Sequence, residues 1–78
     1  MEESPRLSVV GLGYVGLPLA IMLARHHLVT GFDIDSTRIA ELEAGRDRTG
    51  ELAPAALTET PLTYSADADA MAGSDIFI

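Results

Sequence analysis

Ser8-Val9-Val10-Gly11-Leu12-Gly13-Tyr14-Val15-Gly16-Leu17-Pro18-Leu19-Ala20 sets three glycines at the spacing G-x-G-x-x-G between two apolar runs. On its N-terminal side, Arg6 to Val10 is short, apolar and partly β-branched, which reads as a buried strand. On its C-terminal side, Tyr14 to His26 is apolar on nearly every face. A helix of that kind packs between a sheet and a neighbour. Pro18 falls in its first turn, where a missing N–H costs least. Strand, glycine loop and buried helix in that order predict the first βα unit of a parallel sheet.

Working outward, Leu28 to Ile34 is a second β-rich run, with Asp33 at its C-terminal end. Asp33 stands about 20 residues beyond the glycines, the distance of the ribose-binding acid in a dinucleotide fold. Each glycine then has a physical role. Gly11 permits the tight turn, Gly13 the approach of a pyrophosphate to the backbone, and Gly16 close helix–strand packing. The N–H groups of Leu12, Gly13, Tyr14 and Val15, with the helix N-terminus behind them, are expected to meet the phosphates. A carboxylate at Asp33 accepts from both ribose hydroxyls and repels a 2′-phosphate, so the expected cofactor is NAD rather than NADP. Asp35 competes for this role but is also a natural N-cap for the next helix, so Asp33 is preferred. Arg38, in the first turn of that helix, has two readings: stacking on adenine or bordering its ribose, or a solvated arginine facing Glu41.

Thr37 to Ala44 predicts a short amphipathic helix, with Ile39, Ala40 and Leu42 inward and Gly45 at its C-cap. Arg46 to Pro61 is polar and broken by Gly50, Pro54 and Pro61, which predicts a loop with one helical turn near Pro54 to Leu57. Leu62 to Ser65 suggests a brief strand, and Asp67 to Ala72 a helical turn ended by Gly73. Asp75 to Ile78 begins another buried strand. The expected fold class is α/β, a partial Rossmann domain with a doubly wound parallel sheet. Residues 1–78 are expected to be the N-terminal part of an NAD-binding domain, interrupted inside an apolar strand.

Composition narrows the chemistry. The 78 residues are 47% apolar and 22% charged, an ordinary globular balance. Cysteine is absent and all five basic residues are arginine, so the chain brings no thiol or lysine nucleophile and no catalytic residue is assigned. A net charge of −7 disfavours nucleic acid and anionic lipid as partners. Leu17 to Ala24 is far too short to span a bilayer, and the acidic N-terminus lacks the basic region of a signal peptide, which favours a cytoplasmic protein. The adjacent His26 and His27 do not share a helix face, and Asp67, Asp69 and Asp75 lack metal-loop spacing, so no metal site is assigned.

With these residues in place, the chain resembles the N-terminus of a nucleotide-sugar 6-dehydrogenase, the family of UDP-glucose and UDP-N-acetylhexosamine dehydrogenases. Val10 to Ala20, Gly31-Phe32-Asp33-Ile34-Asp35, Arg38 to Leu42, and Gly45-Arg46-Asp47-Arg48-Thr49-Gly50-Glu51 carry the likeness. The last block is more similar to the branch acting on UDP-N-acetylgalactosamine or UDP-N-acetylglucosamine. The resemblance implies two-step oxidation of a sugar C6 alcohol to a carboxylate with two NAD, through a cysteine nucleophile and an assisting lysine that lie downstream in such enzymes. It also implies a UDP-sugar substrate bound mainly outside these residues, a homo-oligomer, and a fragment without turnover by itself. Two rivals share the glycine pattern: a regulatory nucleotide-binding module of the potassium-transport gating type, and another β-hydroxyacid-type dehydrogenase. Pro18 and the polar block Arg46 to Pro61 fit the first less well, and the resemblance of the block Arg46 to Glu51 argues against the second.

Overall fold

Arg6–Val10 forms β1, and its residues alternate between the two faces of a parallel sheet. The computed structural model describes residues 5–50 and 52–78. The elements that follow are α1 (Gly16–Ala24), β2 (Leu28–Phe32), α2 (Ser36–Glu43), α3 (Pro54–Glu59), β3 (Leu62–Ser65), a 3-10 turn (Ala68–Met71) and β4 (Ile76–Phe77). The strands lie in the order β3-β2-β1-β4 and every pairing is parallel. The sheet therefore grows one way from β1 to β3 and then crosses back to place β4 on the other side of β1. That reversal is the switch point of a doubly wound sheet, where ligands bind at the carboxyl ends of the strands. The α/β Rossmann-type fold expected from the sequence is present.

Strand register decides which residues meet the helices. Leu7 pairs with Val29 and Val9 with Gly31, and Val29 pairs in turn with Leu62. Leu7, Val9 and Val29 are buried against Leu17, Ala20, Ile21 and Ala24 of α1, with Ile39 and Leu42 of α2 and Leu57 of α3 completing the core. Ser8 and Thr30, one residue out of phase, face the opposite side. There Ser8 is buried and its hydroxyl hydrogen-bonds that of Ser74, just past the 3-10 turn.

Several boundaries differ from the expected ones. Tyr14 and Val15 form a turn, and α1 starts only at Gly16. It ends at Ala24 because the N–H groups of His26 and His27 both return to the Leu23 carbonyl. Pro18 then sits at the third helical position, where the N–H that proline lacks is one of those a helix start leaves without an intrahelical partner. The second strand stops at Phe32, leaving Ile34 88% exposed. Asp35 alone caps α2, its Oδ1 accepting from the N–H of Thr37 at 3.0 Å and of Arg38 at 3.2 Å. At the far end of α2 the C-cap is Ala44, not Gly45; Gly45 is the residue beyond it, at φ +81°. The helical turn expected at Pro54 to Leu57 extends to Glu59, because Leu57 drops into the core and Thr58 Oγ1 donates to the Pro54 carbonyl. The buried strand expected over Asp75 to Ile78 is instead an exposed edge strand, Ile76–Phe77, because it pairs with β1 alone; Asp75 N–H donates to Arg6 O and Ile78 N–H to Ser8 O, both at 2.8 Å.

Candidate functional site

The carboxyl ends of β1 and β2 open onto the glycine loop. Gly11 leaves β1 at φ +94°, and its N–H donates to the Phe32 carbonyl at 2.7 Å, tying the start of the loop to the end of β2. Leu12 turns inward and is fully buried. Gly13, Tyr14 and Val15 are exposed, and a Cβ added to Gly13 would meet nothing within 4 Å. Gly16 is the reverse case: its Cβ would lie 1.8 Å from the Gly11 carbonyl oxygen. Close approach of helix to strand at Gly16, and open space at Gly13, is the pattern a phosphate-binding turn requires. α1 receives no side-chain cap at Val15, so the partial positive charge of its N-terminus faces this exposed loop.

Asp33 is locked beside the loop. Its Oδ2 accepts the Leu12 N–H and its Oδ1 accepts the Asp35 N–H, each at 2.9 Å. A carboxylate oxygen has more than one lone pair, so both retain capacity for hydroxyl donors while the carboxylate plane is held. The residues present therefore fit a dinucleotide: a bare backbone turn at a helix N-terminus and an oriented acid at the end of β2.

Behind the loop lies a buried ion pair. Arg38 is 4% exposed. Its Nε and Nη2 donate to the Leu12 carbonyl at 3.0 and 2.8 Å, and its Nη1 stands 3.0 Å from Asp47 Oδ1. The Asp47 side chain is fully buried and also accepts from Thr49 Oγ1 at 2.7 Å, from the Thr49 N–H at 3.1 Å and, on Oδ2, from the Leu52 N–H at 3.1 Å. Burial pushes the Asp47 carboxyl up, but the Thr49 donors, Arg38 and the Leu52 N–H outweigh it and hold the group below its ordinary 3.8. Outside this pair, Arg48 Nε donates to Glu41 Oε1 at 2.7 Å, and Arg48 Nη1 lies 3.7 Å from Asp35 Oδ2. The hydrogen bond to Glu41 is the main reason the Arg48 guanidinium is raised above its ordinary value.

Two expectations change here, and one residue of the site is new. Glycine spacing assigns the Leu12 N–H to the phosphates, but Asp33 already holds it. Arg38 is neither spread on the surface nor facing Glu41; Arg48 takes Glu41 and Arg38 is buried under the loop. Asp47 is a residue of this site that no local pattern singles out. Its only signal is its place in the block Gly45 to Glu51, of which Glu51 lies outside the described residues. Gly11, Gly13, Tyr14, Val15, Gly16 and Asp33 do come together at one end of the sheet.

Residues 5–78 match the model of the UDP-glucose/GDP-mannose dehydrogenase family, NAD binding domain. Protein CapL of Staphylococcus aureus is 43% identical over 72 residues, 92% of this chain and 17% of that protein. UDP-N-acetyl-D-glucosamine 6-dehydrogenase of Pseudomonas aeruginosa is 43% identical over 74 residues, 94% of this chain and 18% of that protein. Among solved structures, the UDP-D-ManNAc dehydrogenase of Pyrococcus horikoshii superposes with a TM-score of 0.85 at 35% identity, covering 92% of this chain and 19% of that one. A ternary complex of GDP-mannose dehydrogenase from Pseudomonas aeruginosa gives 0.80 at 34% identity, covering 92% and 18%. The chain thus spans less than a fifth of the length of these relatives. With its glycine turn, its oriented acid and this match from end to end of the described fold, the chain belongs to the UDP-glucose/GDP-mannose dehydrogenase family and corresponds to its NAD-binding domain.

Proposed function

We propose that this chain carries the adenosine and pyrophosphate part of the NAD site of a UDP-sugar 6-dehydrogenase, one that oxidises the C6 alcohol of a UDP-N-acetylhexosamine to a uronic acid. The observation that carries the reading is Asp33, held by two backbone N–H groups next to an exposed glycine turn. Asp33 receives the ribose hydroxyls, and its charge disfavours a 2′-phosphate. The backbone of Gly13, Tyr14, Val15 and Gly16 borders the pyrophosphate, with the helix N-terminus of α1 adding favourable charge. Leu12 and Arg38 serve the same cofactor from behind, by holding the turn. Hydride acceptance is the chemistry that NAD supplies when bound.

The chain has no cysteine or lysine, so it contributes oxidant binding and no nucleophile. The hexosamine assignment is supported by the 43% identity to a UDP-N-acetyl-D-glucosamine 6-dehydrogenase. It carries with it a UDP-sugar as substrate, a homo-oligomeric assembly, and a cytoplasmic setting where NAD and nucleotide sugars are available. Among the described residues no helix is long and apolar enough to cross a membrane. The test is NADH formation by the complete natural protein with UDP-N-acetylglucosamine, its galacto and manno epimers, and UDP-glucose. Two NADH per N-acetylated sugar are expected; NAD binding without reduction by any UDP-sugar overturns the reading. Asp33→Ala should weaken NAD about tenfold or more and narrow the preference over NADP. Unchanged affinity would move the ribose role to Asp35.

A further inference from the structure

We infer that Asp47 is a positioning residue for the NAD site, acting through Arg38 on the peptide plane between Leu12 and Gly13. The inference rests on the NAD reading of the glycine turn given above. Three observations carry it. The Asp47 carboxylate is fully buried and so touches no ligand itself. It holds Arg38 Nη1 at 3.0 Å, while the other two guanidinium nitrogens, Nε and Nη2, converge on the Leu12 carbonyl. The Leu12 N–H is separately fixed on Asp33.

A trans peptide unit is planar, so the Leu12 carbonyl and the Gly13 N–H point in opposite directions. Drawing that carbonyl inward onto Arg38 aims the Gly13 N–H outward, on the exposed side of the turn. Gly13 has no Cβ to resist rotation of this peptide, and nothing lies within 4 Å of where one would stand. The plane is therefore set by Arg38 rather than by local sterics. Arg38 in turn is a buried cation whose orientation depends on its anion. Removing the Asp47 charge takes away the anchor at Nη1 that keeps the fork on Leu12. The peptide is then free to rotate, and a carbonyl oxygen replaces an N–H donor on the face where the pyrophosphate lies.

The pair also links two distant stretches. Asp47 is organised by its own loop, through Thr49 and the Leu52 N–H, so the segment after α2 sets the geometry of the loop before α1. A lysine at position 38 cannot replace this link, because a point charge does not hold a carbonyl and a carboxylate with one planar fork.

The experiment measures NAD and UDP-sugar dissociation constants and thermal midpoints for the complete natural protein and its Asp33→Ala, Asp47→Asn, Arg38→Lys, Thr49→Ala and Thr49→Ser variants. Asp47→Asn and Arg38→Lys should each weaken NAD about tenfold, with UDP-sugar affinity unchanged. Thr49 is exposed, so Thr49→Ala removes one donor to Asp47 without threatening the fold, and should weaken NAD two- to threefold, with Thr49→Ser restoring it. If Asp47→Asn fails to fold, the Thr49 pair decides alone. Lowered thermal midpoints with NAD affinity unchanged would show a purely structural pair and overturn the inference. So would equal losses of NAD and UDP-sugar affinity. NAD binding that falls in Asp33→Ala but not in the Asp47 and Thr49 variants sinks this inference and leaves the functional reading standing; an unaltered protein that binds no NAD sinks both.

Discussion

At Gly16 the need for glycine is steric rather than conformational. A methyl group there would stand 1.8 Å from the Gly11 carbonyl oxygen, a backbone atom at the root of the loop, with Val9 Cγ1 behind it at 3.6 Å. Neither neighbour is the movable end of a long side chain, so α1 must lift from β1 to admit it. Gly16→Ala should therefore cost about 3 kcal/mol, the upper end of ordinary overpacking, as read by denaturant unfolding. It should also lower NAD affinity, because the helix N-terminus moves with the helix. A loss below about 1 kcal/mol would mean that the loop and helix are less tightly joined than the distance says. The glycines and Asp33 are legible in the sequence because each role depends on local spacing along the chain. Arg38 is not. Its periodicity on α2 suggests a surface pair with Glu41, one turn away. What buries it is a carboxylate nine positions further on, and no helical period announces that contact.

How Asp47 reaches Arg38 is a property of α2 as an element. Its first turn is fixed by Asp35, which accepts the N–H of Arg38 itself and so sets where the arginine side chain leaves the helix. Its last turn closes with two reversed bonds, Gly45 N–H to Leu42 O at 3.0 Å and Arg46 N–H to Glu41 O at 2.8 Å. That pair is a Schellman motif, with Gly45 in the left-handed region after the C-cap. It turns the chain back along the helix and delivers Asp47 to the arginine. Gly45→Ala should cost about 1–2 kcal/mol from backbone strain, and more if Thr58 Cγ2, 3.0 Å from the new Cβ, cannot yield. Asp35→Ala should cost about 1 kcal/mol as a lost cap. Because both ends aim the same ion pair, each variant should lose NAD affinity beyond what its stability loss explains, measured by titration well below its melting temperature. The existence and order of the elements can be read from apolar runs. Their ends cannot, since hydrogen bonds such as His27 N–H to Leu23 O are settled by the packed turn, not by composition.

Across the whole molecule, burial is lopsided. The helices cover one face of the sheet around β1 and β2, whereas β4 pairs with β1 alone and leaves Ile76 46%, Phe77 58% and Ile78 49% exposed, next to Val10 at 51%. Ile76 pairs with Leu7 and Phe77 with Ser8, so exposed apolar side chains stand on both faces of this edge strand and favour cover by another surface, although the two-residue length of β4 limits how much backbone it offers. The opposing term is charge. At −7, copies of this chain repel one another, and that repulsion fades as salt shortens the Debye length from about 10 Å at 0.1 M to about 3 Å at 1 M. Apolar contact does not weaken in the same way. The 78-residue chain by itself is therefore expected to associate more strongly as salt is raised, opposite to an assembly held by ion pairs. Sedimentation velocity across that salt range checks the sign. Phe77→Glu should abolish the association, since it places a carboxylate at the most exposed apolar side chain of β4. Association that dissolves with salt, or survives Phe77→Glu, would place the sticky surface elsewhere, with the exposed Tyr14 and Val15 at the mouth of the glycine loop the next to test.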